Sequence, residues 1–393
     1  MLIESYMLLM RNSHVSLSSW NMALSEVSGM RFSKQALWKR ITPAFNVLLR
    51  KLLERTIRDV SLNRSTVDLY GNYKRVLLED TTCIRLPDAM HPLWKGNHSK
   101  GKQKSVVKFH LIHDIISGNF KHFDLHPYSK PEQKIGCKIF DIAREGDLVL
   151  RDLGYFVLEY FTRLCERKIH FVSRLRYGVK LFDPKTGKEL RLSTLMGKNE
   201  VTDKLVILGN GKTCQVRLVA IKLNEKAKQT RIRKAKNDRN KRHNHSQEYY
   251  RMLGYIFFIT NIDQTQWDAQ KIAQSYRSRW NIEILFKCWK SNFRIQRAIP
   301  KVSQSKHSME AILLLTMLFL AWFQRFIAVW ILSGSTHKIS IRKVAAYFIN
   351  NIELILKKTL TQSELKKIIH HCRHEPRLSR SNAVQLIDDL YYH

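Results

Sequence analysis

Between residues 71 and 180 short apolar runs alternate with helical stretches, and this alternation restricts the fold more than any other feature of the chain. Val76–Leu78 runs into Glu79 and Asp80, and Val106–Ile112 alternates before the turn signal Ser117-Gly118-Asn119. Leu148–Leu150 leads into Arg151-Asp152-Leu153-Gly154, and Ile169–Ser173 is a fourth run. Lys134–Arg144 and Tyr155–Glu166 lie between them with helical spacing. Strands mixed with helices predict an α/β sheet layer. A chain of 393 residues has room for this layer and for further regions around it.

Residues 1–70 read as helical. Leu17–Val27 and Ser33–Leu53 have helical apolar spacing around Gly29. The pair is compatible with a helix-turn-helix DNA-binding unit, although two helices around a glycine occur in any helical domain. Residues 181–250 change character. Pro184, Gly187, Gly197, Asn210 and Gly211 punctuate the β-like runs Lys204–Leu208 and Cys214–Leu223. Residues 226–242 then hold nine Lys or Arg against one Asp. The stretch reads as a β-rich insertion with a flexible basic loop. Lys226, Lys228, Arg231, Arg233, Lys234 and Lys236 either contact phosphates or form a solvated charged turn. Tyr255–Thr260 reads as a buried strand, followed by one long helix from Gln266 to about Phe293. Residues 301–393 read as helical.

Lys and Arg number 68 against 33 Asp and Glu, a formal net charge of +35. Such an excess repels itself in the compact state unless a polyanion neutralises it. Nucleic acid is the leading partner, ahead of a ribosome or a membrane surface. Lys95–Lys108, with five lysines, is a second basic patch that either follows DNA backbone or solubilises a loop. Ala311–Leu332 is long enough to cross a bilayer. Gln324 and Arg325 sit inside it, and a charge there is costly, so a buried core helix and no membrane are expected. The six cysteines form no Cys-x-x-Cys pair, and the start lacks a signal-peptide pattern; the expectation is a cytoplasmic protein with reduced thiols and no structural zinc. His370-His371-Cys372-Arg373-His374 resembles a metal site in composition only and reads as a surface helix end.

The chemistry concentrates in QSYRSRWNIEILFKCWKSNF. At about 100° per residue, Tyr276, Arg279, Glu283 and Lys290 fall in one narrow stripe, with Ile282, Leu285 and Trp289 on the other side. Glu283 can ligate a divalent metal. Arg279 and Lys290 can hold phosphates, and Tyr276 can donate to a phosphate oxygen. An exposed face with an ordinary Glu283–Lys287 pair is the competing reading.

Tyr276-x2-Arg279-x3-Glu283-x6-Lys290 resembles the Tyr-Arg-Glu-Lys signature of the insertion-sequence-four family of bacterial transposases, which are of the DDE type. Trp280 and Phe286 match as well. Two earlier stretches fit the family: Val76-Leu77-Leu78-Glu79-Asp80-Thr81-Thr82 and Leu148–Phe156 around Asp152. The strand from His170 to Arg176 also looks like the family, and the likeness covers roughly residues 70–300.

The resemblance implies a ribonuclease-H-like, retroviral-integrase-like core in residues 71–180 and 251–300. It implies that residues 181–250 interrupt this core, with a DNA-binding region at 1–70 and a helical region at 301–393 as flanks. It also implies that Asp80, Asp152 and Glu283 are catalytic and hold two Mg2+ ions, with Mn2+ as a substitute. The expected reaction is cleavage at the terminal inverted repeats of an insertion element and transfer into target DNA through a hairpin. The implied partner is double-stranded DNA, bound by a dimer in the synaptic complex. Tyr255 takes the place of an aromatic that stacks a flipped base, or is an ordinary core aromatic. Glu79 should face away from Asp80 by strand alternation. Strand-end aspartates also cap turns, so each Asp has a structural reading. A ribonuclease-H-like nuclease and an inactive DNA-binding relative remain as alternatives.

Overall fold

The computed structural model describes residues 1–11, 15–58, 70–71, 73–99, 101–196, 199–209, 215–237, 246–300, 305–332, 339–357, 359 and 361–374. The chain divides into two compact units, one made of residues 1–66, 77–135 and 280–374, the other centred on 67–76 and 136–279.

The first unit opens with four helices, α1 (Leu2–Leu9), α2 (Leu17–Ser28), α3 (Lys34–Arg40) and α4 (Pro43–Ile57). A capping box of Ser16 and Ser19 starts α2, and Gly29, with φ 67°, ends it in the left-handed region. The single helix expected over Ser33–Leu53 is in fact two. Thr42 caps α4 and Pro43 occupies its first turn, because proline lacks the N–H that would continue α3. Next come β1 (Val76–Leu86), β2 (Lys95–Ser99), β3 (Lys102–Asp114), β4 (Asn119–Pro127) and the short α5 (Glu132–Ile135). β3 pairs antiparallel with β1, β2 and β4. The predicted turn at Ser117-Gly118-Asn119 joins β3 to β4, with Gly118 at φ 70°.

The second unit contains α6 (Ile139–Ile142), β5 (Leu148–Arg151), α7 (Leu158–Glu166), β6 (His170–Arg174), β7 (Leu181–Phe182), β8 (Glu189–Leu190) and α8 (Leu192–Leu195). It continues with β9 (Val201–Leu208), β10 (Gln215–Lys222), α9 (Glu225–Lys236), α10 (Gln247–Met252), β11 (Tyr255–Thr260) and α11 (Ala269–Arg277). Its strands run in the order β5-β6-β11-β10-β9-β7-β8. β5 and β6 are parallel with α7 as their crossover; the other pairings are antiparallel. β9 and β10, the two β-like runs of residues 181–250, continue the sheet beside β11. Arg217 on β10 is buried; it pairs with Asp203 at 2.6 Å and donates to the carbonyls of Ile262 and Trp267, fastening the strand to the loop before α11.

Residues 226–236, expected as a flexible loop, form helix α9 instead. The Asn224 side chain caps it, Glu225 stands in its first turn, and Arg233, Lys234 and Lys236 lie in its last, the charge order that the helix dipole favours. Gly197, Asn210, Gly211, Cys214 and the remainder of the basic stretch, with Arg239, Lys241 and Arg242, lie outside the described residues.

The first unit closes with α12 (Trp280–Ser291), α13 (Lys306–Phe326), α14 (Ile341–Asn350), α15 (Ile352–Leu356) and α16 (Gln362–His371). α13 is the long apolar helix, and most of it is buried inside the protein. It packs along α4, where Asn46 and Arg50 reach Glu310. The Tyr6 hydroxyl meets Thr316 Oγ1 at 2.9 Å, and Phe293, Phe319, Phe323 and Phe348 form an edge-to-face cluster beside it. Gln324 is buried, and its amide N–H donates to the Gly118 carbonyl.

Candidate active site

In the first unit Asp80 lies in the middle of β1. The sequence placed it at a strand end, but Thr81, Thr82 and Ile84 are β-branched, and pairing with β3 continues to Leu86↔Ser105. Strand alternation separates Asp80 from Glu79 as expected. The Glu79 carboxylate is fully buried and lies 3.1 Å from His110 Nε2. Asp80 Oδ1 accepts the backbone N–H of Thr81 at 2.7 Å. Three residues on, burial raises the pKa of the Cys83 thiol; the charges of Lys108 and Lys290 oppose this, and those of Glu132 and Asp80 add to it. Lys290 of α12 and Asp80 of β1 therefore act on the same thiol.

Glu283 is partly exposed in the first turn of α12, where the helix dipole favours a carboxylate. Ile282, Leu285 and Trp289 are buried, as the spacing predicted. Trp289 packs on Phe120 and Phe123 of β4, with ring centroids 6.0 and 5.5 Å away, and so seats α12 on the sheet.

In the second unit Asp152 follows β5 at the start of a single 3-10 turn, Leu153–Tyr155. Its side chain makes no capping hydrogen bond. It is 39% exposed and faces Arg279 Nε at 3.7 Å. The Tyr276 hydroxyl donates to the Arg151 carbonyl at 3.2 Å, and the Arg279 guanidinium lies 5.9 Å from the Tyr276 ring centre. Burial pushes the Tyr276 phenol up to about 12. Tyr276 and Arg279 thus bracket the end of β5, where Asp152 begins.

The single helix expected from Gln266 to Phe293 breaks at Ser278 and Arg279 into α11 and α12. Tyr276 and Arg279 accordingly belong to the unit of Asp152, while Glu283 and Lys290 belong to the unit of Asp80. Among the described residues, no group of three or more His, Cys, Asp or Glu side chains that could hold a metal ion is found. The same holds for His370, His371 and Cys372 at the end of α16; burial raises the Cys372 pKa to about 11.

Arg151 holds the strand end from beneath. Its fully buried guanidinium donates to the Gly136 carbonyl at 2.8 Å and lies against Tyr155 and Tyr160. A Cβ on Gly136 would come within 2.5 Å of Arg151 Nη2 and 2.7 Å of the Tyr155 ring. Gly136→Ala is therefore expected to cost about 1–3 kcal/mol, the usual range for overpacking. A thermal melt unchanged from the unaltered protein would refute that packing.

Tyr255 is half-buried at the start of β11, and its carbonyl accepts from Arg231 Nη1 at 2.7 Å. It lines a cavity of about 300 Å³ with Lys222, Lys228, Arg251, Met196 and Leu223. Lys222 and Arg251 had no spacing signal in the sequence; only the pairing of β10 with β11 and the turn after α10 bring them to Tyr255. On α9, Lys226, Arg233, Lys234 and Lys236 are exposed, whereas Lys228 and Arg231 turn toward the Tyr255 strand. The Lys95–Lys108 patch is strand rather than loop: Lys104 pairs with Asp88 at 2.8 Å and buried Lys108 donates to the Lys130 carbonyl, while Lys100 lies outside the described residues.

Residues 72–320 match the family described as the transposase DDE domain. The chain is similar to the transposase for insertion sequence element IS231F of Bacillus thuringiensis subsp. israelensis, 25% identical over 294 residues, which cover 69% of this chain and 61% of that protein. It is similar to the IS1151 transposase of Clostridium perfringens at 24% identity, covering 68% of this chain and 58% of that one. The chain thus spans about three-fifths of the length of these curated relatives. A solved piggyBac transposase synaptic complex with hairpin DNA aligns at 9% identity and a TM-score of 0.46, covering 97% of this chain and 78% of that one.

Proposed function

The chain belongs to the transposase DDE domain family, and from that premise we propose that it cleaves DNA at the ends of an insertion element and joins them to target DNA. The observation that carries this reading is the placement of Asp152: its carboxylate makes no cap and instead faces Arg279, beside the Tyr276 that holds the Arg151 carbonyl. Tyr276 and Arg279, the first two positions of the signature read from spacing, adjoin this aspartate.

Asp80, Asp152 and Glu283 are the proposed catalytic carboxylates. Their hard oxygen donors suit Mg2+ or Mn2+. When bound, two such ions would activate the attacking oxygen and stabilise the leaving 3′-oxygen of an in-line displacement. The chain's own groups orient the DNA. Arg279 offers a planar fork to a phosphate and Lys290 a mobile point charge. Tyr276 fixes the strand end that carries Asp152 and places its ring under Arg279. On α9, exposed Lys226, Arg233, Lys234 and Lys236 are further candidate phosphate contacts, with Lys228 and Arg231 turned toward the Tyr255 strand. The antiparallel strands β1, β3 and β4 of the first unit, and separately the parallel pair β5 and β6 of the second, are strand pairings of the kind that a ribonuclease-H-like fold uses. Two element ends must be cut together, which calls for a dimer in the synaptic complex.

The experiment is Mg2+-dependent cleavage of the flanking inverted-repeat DNA by the full chain, followed by joining to a target plasmid. Cleavage without joining would favour a ribonuclease-H-like nuclease. Salt-sensitive binding without cleavage would favour a DNA-binding relative without activity.

Tyr255 is proposed to stack an unpaired base at the mouth of the cavity lined by Lys222, Lys228 and Arg251. Stacking on an aromatic contributes about 1–3 kcal/mol. Tyr255→Ala should therefore slow hairpin formation by roughly tenfold or more relative to the first nick. Equal slowing of both steps would remove Tyr255 from this role.

A further inference from the structure

We propose that Glu132 is a positioning residue for Asp80: it acts through Thr81 and sets how tightly the Asp80 carboxylate takes a divalent cation. The inference rests on the reading of Asp80 as a metal-binding carboxylate. Thr81 joins the two acids through its two donors. Its hydroxyl donates to Glu132 Oε1 at 2.8 Å, and its backbone N–H donates to Asp80 Oδ1 at 2.7 Å. Threonine is branched at Cβ and has few side-chain rotamers, so anchoring Oγ1 selects one of them and holds the adjoining peptide. The N–H of that peptide fixes the plane of the Asp80 carboxylate. Hydrogen bonds to a ligating carboxylate orient it, and removing them typically weakens metal binding 10–100-fold.

The charges around the relay fit the same role. Glu132 and Asp80 both act on the Cys83 thiol from the same unit. The Glu132 charge is offset by Lys108, whose Nζ lies 3.9 Å from Glu132 Oε1 and is itself held by the Lys130 carbonyl. Lys108 is buried, so this compensation is built into the sheet and is not supplied by solvent. Glu132 stands at the start of α5, 52 residues beyond Asp80, and no sequence spacing links them.

The test measures Mn2+ binding to the full chain without DNA, by electron paramagnetic resonance of the free ion. It also measures the Mg2+ dependence of DNA cleavage. Glu132→Ala and Thr81→Val should each weaken Mn2+ binding about tenfold and raise the half-saturating Mg2+ by a similar factor, with DNA affinity unchanged. The double variant should be no worse than either single one, because one relay is broken once. Glu132→Gln should restore binding, since its amide oxygen still accepts from Thr81. Additive losses, or Glu132→Ala binding Mn2+ as the unaltered chain does while Asp80→Asn abolishes binding, would overturn the proposal. Undiminished binding in Asp80→Asn would instead overturn the reading of Asp80. Should Glu132→Ala fail to fold, Thr81→Val against Thr81→Ser carries the same comparison, because only serine keeps the hydroxyl.

Discussion

Glu283→Gln is expected to lower the single-turnover rate of element-end cleavage by at least about a thousandfold, with DNA binding and melting temperature unchanged. The amide keeps the size of the side chain and removes the charge that a divalent metal requires. Metal stabilisation of a transition state is worth several kcal/mol, and each 1.4 kcal/mol is roughly tenfold in rate. The side chain is partly exposed in the first turn of α12, while the buried face of that helix is carried by Ile282, Leu285 and Trp289. The substitution therefore leaves the packing of α12 alone. Cleavage at the unaltered rate would contradict the assignment of Glu283 as the third catalytic carboxylate.

Trp289→Ala is expected to do the reverse. Trp289 is fully buried, contacts Phe120 and Phe123 on β4, and lies 5.2 Å from Phe286 within its own helix. Truncating a buried tryptophan costs about 3–5 kcal/mol, through lost burial and the cavity left behind. For a domain of this size the loss reads as a melting temperature lower by roughly 10 °C. Cleavage should fall as well, because α12 loses the contact that seats Glu283 and Lys290 on the sheet. The two variants separate chemistry from support: one loses rate at constant stability, the other loses stability first. A melting temperature for Trp289→Ala within about 2 °C of the unaltered protein would show that α12 is held by other contacts.

Several local features were legible in the sequence because short-range rules govern them. The turn at Gly118, the cap around Gly29 and the buried face of α12 follow from positive φ and helical period. Burial of α13 was legible from Gln324 and Arg325, and the fold gives the Gln324 amide N–H the Gly118 carbonyl as its acceptor. Where reading failed, a competing interaction had won. Pro43 ended a predicted helix, and pairing with β3 carried β1 past Asp80. A side-chain cap together with favourable end charges made a helix of the basic stretch.

What the sequence by itself determined is the inventory of the candidate site: two aspartates after apolar runs and the Tyr276, Arg279, Glu283, Lys290 spacing, all in a strongly basic chain. These are properties of residue type and interval, and no fold alters them. Tertiary structure alone decided how that inventory is divided. The break at Ser278 and Arg279 sends Tyr276 and Arg279 to the strand end at Asp152, and leaves Glu283 and Lys290 on a helix seated on β4. It also set Glu132 behind Thr81 and gathered Lys222 and Arg251 beside Tyr255. Periodicity describes one helix or one strand at a time. Which of these lie side by side depends on sheet pairing and core packing between residues far apart in the chain, and no local pattern encodes that.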